Sequence, residues 1–176
     1  MSIRPFKGQK PVVPESAYVD ESAVVVGDVV LGENASIWPG AIVRGDVNSI
    51  RIGTDSNVQD LACLHVSHKR DSDPEGAPLV IGDRVTIGHQ VTLHGCTIGD
   101  ECLVGIGTII LDRAVIEPRV MIGAGSLVPP GKVLKSGWLY LGRPVKEIRP
   151  LTEEELAHFA YSAQHYVRLM HAHRES

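Results

Sequence analysis

The sequence has few aromatic residues, no large excess of positive or negative charge, and no long apolar runs. Only 5% of the 176 residues are aromatic, whereas 18 are glycine, so large core side chains are few. The net charge of −4 offers no basic surface for a nucleic acid. No apolar run reaches the roughly 18 residues that a membrane helix needs, and the first residues lack an apolar signal-peptide core. We therefore expect a cytoplasmic protein with neither nucleic-acid nor membrane partners.

Cysteine is scarce as well. Cys63, Cys96 and Cys102 are an odd number without C-x-x-C spacing, which argues against a disulfide scaffold and against a cysteine zinc site. Cys96 and Cys102 fall at inward positions of the repeat described next. We expect both to be small core residues.

What the sequence has in abundance is a six-residue repeat of aliphatic residues. Two positions before each of them the residue is small or aliphatic, and positions two apart point to the same side of a strand. Short strands at this spacing wind into a solenoid with three flat faces, about 18 residues per coil and about 4.8 Å between coils. The repeat residues are Val19, Val25, Leu31, Ile37, Val43, Ile52, Val58, Leu64, Ile81, Ile87, Leu93, Ile98, Val104, Ile110, Ile116, Ile122 and Val128.

The repeat divides the chain into three parts. Residues 1–135 are predicted to form the solenoid domain, with a polar excursion at 66–78 inserted at one corner. Residues 136–151, rich in proline and glycine, are predicted to be a connection. A helix is predicted over 152–174, because Thr152 and Glu155 form a capping box. Its apolar stripe should pack on the solenoid, with a coiled-coil tail as the alternative; the stripe is Leu156, Phe159, Ala160, Ala163, Tyr166, Val167 and Met170.

Counting by sixes also assigns residues to faces. We call the face that carries Leu64 and Leu93 face A, and those that carry Ile81 and Ile87 faces B and C. The residue directly before each repeat residue points outward, and on face A these outward residues are mostly apolar. A monomer rarely exposes such a stripe, so a neighbouring subunit or the C-terminal helix should cover it. The stripe is Val24, Ile42, Cys63, Thr92, Ile109 and Leu127.

Three histidines stand at informative places in this scheme. His65 and His94 each follow a face A repeat residue, so they stack one coil apart with backbones about 5 Å from each other. At that separation two imidazoles can share a metal held at about 2.0–2.1 Å. His89 lies at the other end of face A, up to ~16 Å from His94. A threefold axis parallel to the solenoid would bring the His89 corner of one copy to the His65 and His94 corner of the next.

The motifs R-G-D at 44–46, N-V-Q-D at 57–60, His65 and the H-x-x-x-x-H of 89–94, set on hexapeptide repeats, resemble those of the gamma-class carbonic anhydrases, most of all their shorter bacterial branch. The resemblance covers nearly the whole chain. It implies an all-β solenoid, the left-handed parallel β-helix, with a C-terminal α-helix. It also implies a homotrimeric lyase, a carbonate dehydratase that hydrates CO₂ to bicarbonate with Zn²⁺ (or Fe²⁺ or Co²⁺) between subunits.

By motif position, the resemblance implies that His65 and His94 bind the metal from one subunit and His89 from the next. Gln59 would hydrogen-bond the metal-bound water or hydroxide, with Asn57 beside it. Three neutral imidazoles leave one coordination position open, as in catalytic zinc sites. Zinc lowers the pKa of its bound water to about 7, a value known from carbonic anhydrase itself.

The resemblance assigns further roles outside the ligand set. Arg44 and Asp46 would form a salt bridge that joins subunits, Asp60 would meet an interface arginine, and Tyr161 would approach the metal. Val47 stands where active members carry a glutamate. The glutamates of the loop after the first ligand are also missing. The loop carries His68 instead, which is either a proton shuttle, a role that histidines as a class can fill, or an ordinary loop histidine.

Two other functions remain open from the sequence. A metal-binding trimer without CO₂ hydratase activity is compatible with Val47 and with the missing loop glutamates. A hexapeptide acyltransferase would use one histidine as a base and an acyl-CoA at a subunit cleft, and it would need no metal.

Overall fold

The computed structural model describes residues 3–175 as a left-handed parallel β-helix followed by one α-helix, which confirms the predicted fold. Residues 1 and 2 of the predicted solenoid domain lie outside the described residues. In chain order the elements are β1 (Ile3–Arg4), β2 (Tyr18–Val19), β3 (Val24–Leu31), β4 (Ser36–Ile37), β5 (Ile42–Ile52), β6 (Asn57–Val58), β7 (Cys63–His65), β8 (Leu79–Ile81), β9 (Thr86–Ile87), β10 (Thr92–His94), β11 (Thr97–Ile98), β12 (Leu103–Val104), β13 (Ile109–Ile110), β14 (Val115–Ile116), β15 (Met121–Ile122), β16 (Leu127–Val128), β17 (Val133–Leu134), β18 (Trp138–Gly142), β19 (Val145–Pro150) and α1 (Glu153–Glu175).

The strands form two hydrogen-bonded sheets that account for the three faces. Faces A and B belong to one 11-stranded sheet, because β3 and β5 bend around the corner between them. Face C is the 8-stranded sheet. Leu93 pairs with Leu64 on face A, and Ile87 pairs with Val58 on face C. The assignment of residues to faces from the six-residue count is therefore confirmed.

The core is a narrow column of aliphatic side chains. Inward residues such as Ile37, Leu64 and Ile87 are fully buried, and each such side chain contributes about 1.5–3 kcal/mol by leaving water. Cys96 and Cys102 lie in the same column, each 1% exposed, which confirms them as small core residues. Burial raises the pKa of both thiols to about 12.

Many corners turn on one left-handed residue that lies three positions after the repeat residue. At the corner from face B to face C a residue other than glycine takes this place on most coils, with φ between 55° and 59°, whereas Gly137 takes it after β17; the others are Asn34, Asp55, Arg84, Glu101 and Arg119. The glycines that directly follow the repeat residues serve close approach instead. An ideal Cβ at Gly53, for example, would lie 2.4 Å from the carbonyl oxygen of Gly82 on the next coil.

The segment 136–151, predicted as a connection, contains two strands. β18 pairs with β15 and continues face C, with Tyr140 beside Ile122, and β19 returns antiparallel to β18. The aliphatic count missed this coil because an aromatic side chain, Tyr140, fills the inward position and is 3% exposed.

The C-terminal helix begins at the predicted capping box. The Thr152 hydroxyl accepts from the Glu155 backbone N–H at 3.2 Å, and the Glu155 carboxylate accepts from the Thr152 N–H at 2.9 Å. The buried face is rotated from the prediction: Ser162 is buried with Phe159, Ala163 and Met170. Leu156 and Ala160, placed in the apolar stripe by the sequence, are exposed.

The helix packs on the outside of face C. Trp38 makes edge contacts with Tyr166 at 5.5 Å and with His173 at 5.1 Å between ring centroids. The Ser162 hydroxyl meets the Thr86 hydroxyl at 2.9 Å. Within residues 3–175, no helix has the length and apolarity needed to cross a membrane.

Candidate metal centre

His65 and His94 lie side by side at the end of face A. They are paired in the register of β7 and β10, as the repeat phase predicts. His65 Nδ1 is 3.1 Å from His94 Nε2, with ring centroids 5.1 Å apart. Two nitrogens bound to one tetrahedral zinc at about 2.05 Å would be about 3.3 Å apart. The pair therefore fits two ligands of a single ion with little adjustment.

Carboxylates engage the far side of both rings. His65 Nε2 lies 3.0 Å from Asp46 Oδ1, and His94 Nδ1 lies 2.6 Å from Asp112 Oδ1. Metal-binding histidines commonly give their second nitrogen to a carboxylate, which fixes the tautomer and the ring orientation. The donor set and its surroundings thus have the chemistry that a metal site requires.

Electrostatics around His65 favour its neutral form. Burial lowers the pKa of the His65 imidazole and outweighs the opposing hydrogen bond to Asp46. Burial would raise the pKa of Asp46, but hydrogen bonds from Arg44 and His65 hold that pKa below its usual range. Arg44 Nη1 donates to Asp46 Oδ2 of the same chain at 2.6 Å. A neutral imidazole is the form that binds a metal.

His89 stands apart from the pair, in the turn between β9 and β10. Its Nδ1 lies 2.9 Å from Asp60 Oδ2, so the third predicted ligand also has a carboxylate on one nitrogen. Within residues 3–175, no three His, Cys, Asp or Glu side chains converge on a point that would hold a metal ion. One chain brings together two of the three predicted ligands.

The predicted pocket residues Gln59 and Asn57 belong to a buried polar chain on the outside of face C. Gln59 Nε2 donates to Asn57 Oδ1 at 3.0 Å, and Asn57 Nδ2 donates to Thr86 Oγ1 at 3.1 Å. Thr86 then meets Ser162 of α1. With Nε2 engaged, the Oε1 of Gln59 is the end of the amide left to accept a hydrogen bond.

The remaining predicted residues lie farther out. Tyr161 is 60% exposed. Its ring stacks on His165 at 6.2 Å between centroids and lies tilted against His158 at 5.8 Å. Val47 is 42% exposed beside Asp46. His68 is exposed on the loop after His65, where it lines a cavity of about 220 Å³ together with Asp112.

Asp112 is a residue that the sequence reasoning missed. It lies in the corner after β13, one coil beyond His94. Its only sequence signal was its repeat phase, which places it level with Gly95 rather than with a histidine. Contact with His94 requires the side chain to reach across that glycine, which a count of positions does not show.

The outward stripe of face A is not covered by the C-terminal helix. The helix contacts β4 and β9 of face C, so one of the two covers expected from the sequence is excluded. Ile42 is 42% exposed, and Cys63 is exposed beside it in register. An apolar strip therefore runs from coil to coil along face A, between the corner that carries His65 and His94 and the corner that carries His89.

Known proteins resemble this chain over most of its length. A family model described as bacterial transferase hexapeptide (six repeats) matches residues 95–130. Protein YrdA of Escherichia coli (strain K12) is 53% identical over 94% of this chain and 90% of its own length. A carbonic anhydrase of Geobacillus kaustophilus is 44% identical over 94% of this chain and 87% of its own length.

Two further comparisons bear on the family. Gamma carbonic anhydrase 2, mitochondrial, of Arabidopsis thaliana is 41% identical over 94% of this chain, which spans 59% of that protein. The structure of a Bacillus cereus protein described as a putative acetyltransferase superposes with a TM-score of 0.92 at 41% identity, covering 98% of this chain and 96% of that one. With its repeats, its paired histidines and these relatives, the chain belongs to the gamma-class carbonic anhydrase family of hexapeptide-repeat proteins.

Proposed function

We propose that the protein is a metal-dependent carbonic anhydrase, a lyase that hydrates CO₂ reversibly to bicarbonate. It acts as a cytoplasmic homotrimer with Zn²⁺ at each subunit interface, and Fe²⁺ or Co²⁺ are alternative metals. The pairing of His65 with His94, at 3.1 Å between ring nitrogens, is the observation that carries the proposal. The relatives named carbonic anhydrase support the substrate.

The position of His89 supports the trimer. It occupies the corner between faces C and A, whereas the His65 and His94 pair occupies the corner between faces A and B. A threefold arrangement with face A toward the axis joins these two corners between neighbours and covers the apolar strip that the helix leaves bare. Each interface then holds three histidines, which is the ligand number of a catalytic zinc with one open position.

The chain's own residues would do the remaining work at this site. A metal bound there supplies Lewis acidity that lowers the pKa of water. Asn57 holds the Gln59 amide by its nitrogen, which leaves the Gln59 oxygen to accept a hydrogen bond and to orient a reacting oxygen. His68, on the loop that follows His65, is the group that would carry a proton to solvent. Tyr161 reaches the site only if α1 lies near the neighbouring subunit.

A metal-binding trimer without CO₂ hydratase activity is the second candidate, favoured by Val47 at the place of a glutamate. An acyltransferase is the third, favoured by the solved structure described as a putative acetyltransferase. The three candidates differ in metal content and in substrate, so measurements of both separate them.

The test is metal analysis of anaerobically purified protein with stopped-flow CO₂ hydration, on the wild type and on His89→Ala. We expect one metal per chain and hydration in the wild type, and loss of both in the variant. His171→Ala, which changes an exposed histidine on α1, is the matched control and should resemble the wild type. Metal without hydration would establish the second candidate, and acetyl-CoA turnover without metal would establish the third.

Mixed trimers test the shared site directly. Neither His89→Ala nor a His65→Ala/His94→Ala chain can complete a site with copies of itself. When the two are produced together, a mixed trimer has one interface where an intact His65 and His94 pair faces an intact His89. Metal and hydration should return to about one site per mixed trimer. Full metal binding by monomeric wild-type protein would overturn the shared site.

A further inference from the structure

The geometry points to Asp112 as the positioning residue that fixes the His94 ring and directs its Nε2 toward the ion. This inference rests on the proposed function, since it concerns the metal site. The Asp112 carboxylate lies 2.6 Å from His94 Nδ1, which is the shortest of the carboxylate–imidazole distances at the three predicted ligands. Asp46 and Asp60 stand at 3.0 and 2.9 Å from their histidines.

Gly95 makes room for this carboxylate. An ideal Cβ at Gly95 would lie 2.4 Å from Asp112 Oδ1 and 2.6 Å from the Ala77 Cβ. Because Gly95 has no side chain, the Asp112 carboxylate can extend over it to reach His94.

The second oxygen of Asp112 is held as well. The Ser67 hydroxyl donates to Asp112 Oδ2 at 3.1 Å, so the carboxylate is fixed at both ends. The neighbouring cation does not compete for it, because Arg113 forms its ion pair with Asp73 and donates to the Gly76 carbonyl. Asp112 is thus left to His94 and Ser67.

A carboxylate at Nδ1 selects one tautomer of His94. With the proton on Nδ1, the lone pair of Nε2 is free, and Nε2 is the atom 3.1 Å from His65. Partners of this kind change metal affinity by about 10–100-fold when they are removed. Without Asp112 the ring can rotate or take the other tautomer, so that Nε2 no longer faces the ion in most molecules.

The experiment compares Asp112→Asn and Asp112→Ala with the wild type by competition for Zn²⁺ with a chromogenic chelator. We expect affinity about 10–100-fold weaker in Asp112→Ala and an intermediate loss in Asp112→Asn, since the amide oxygen can still accept the Nδ1–H. Asp100→Asn is the matched control, because that corner aspartate accepts from the Asp83 backbone N–H and touches no histidine. ¹⁵N NMR of the metal-free proteins reports the tautomer directly.

A purely structural role would give a different result. It would lower the unfolding temperature of the Asp112 variants and of Asp100→Asn alike, with no change in the His94 tautomer. Unchanged zinc affinity and an unchanged tautomer in both Asp112 variants would overturn the inference and leave the proposed function standing. Failure of the wild type to bind zinc, iron or cobalt would instead overturn the proposed function.

Discussion

Faces A and C of the solenoid treat their outer surfaces in opposite ways. The outward residues of face C include Ser36, Asn57 and Thr86, which are polar and yet buried, because α1 lies over them and supplies Ser162. The outward residues of face A are mostly apolar and yet Ile42 and Cys63 are exposed. Polarity and exposure are therefore reversed between the two surfaces.

Among the described residues, this difference distinguishes the surface whose side chains find their partners within one subunit from the surface whose side chains do not. On face C the polar groups satisfy one another, and no buried side-chain N or O atom in residues 3–175 lacks a hydrogen-bond partner. Within residues 3–175, Ile42 and Cys63 of the apolar strip on face A remain exposed, and exposed apolar strips mark association surfaces. Face C is completed within the subunit, whereas face A is the surface that the proposed trimer would bury.

Ile42→Glu should have the largest effect, because it places a charge on the surface proposed to be buried between subunits. Burying an unpaired carboxylate costs several kcal/mol per chain, so the trimer should dissociate and lose its metal. Light scattering and metal analysis check this. Val115→Glu on face B, which is 38% exposed against 42% for Ile42, is the control and should remain trimeric. Equal behaviour of the two variants would break the distinction between the faces.

Thr86→Val, a change confined to face C, should lower stability moderately and leave the trimer intact. The change keeps the shape but removes the hydroxyl between Asn57 and Ser162, and each buried polar group left unsatisfied costs about 1–3 kcal/mol. The urea midpoint should fall while the trimer persists. The hydration rate should fall as well, since Gln59 loses its support, and Thr86→Ser should restore both. A variant that dissociates without losing stability would contradict the assignment of face C to the single subunit.

Cysteine labelling should give the smallest effect and the finest view of face A. At pH 8 Cys96 and Cys102 should not react, because burial raises the pKa of both to about 12. Cys63, in the apolar strip, should react on the order of tenfold faster in the Ile42→Glu monomer than in the wild-type assembly, because the thiolate must be reached by the reagent. Mass spectrometry after timed labelling measures the rate. Equal rates would show that face A is open in the native protein.

Much of the fold was predictable because a repeat converts sequence distance into spatial neighbours. Counting by sixes placed His94 beside His65, and the strand pairing confirms it. The same count could not find Asp112, whose contact with His94 depends on a side chain reaching across Gly95. Nor could it find β18, where Tyr140 takes an inward position that is otherwise aliphatic.

The helix shows a second limit of pattern reasoning. Its start was predictable from local chemistry, since Thr152 and Glu155 satisfy each other's backbone. Its buried face was not, because the surface it meets on face C is polar. Ser162 faces inward to meet Thr86, whereas Leu156, in the first turn of the helix, stays 37% exposed. Apolar periodicity identifies the buried face only when the opposing surface is apolar.

The excursion at residues 66–78 has a consequence for finding related sites in other genomes. His65 and His94 are 29 positions apart, whereas Leu93 and Ile110, also neighbours on successive coils, are closer along the chain because no loop intervenes. Changes of length should be tolerated best at the exposed residues 68–72 of the excursion, since Ser67 holds Asp112 and pairs with Ala77 at its base. The five-position interval from His89 to His94 spans one turn and one short strand, so it has no such freedom. A sequence pattern for this site should hold the second interval constant and leave the first open.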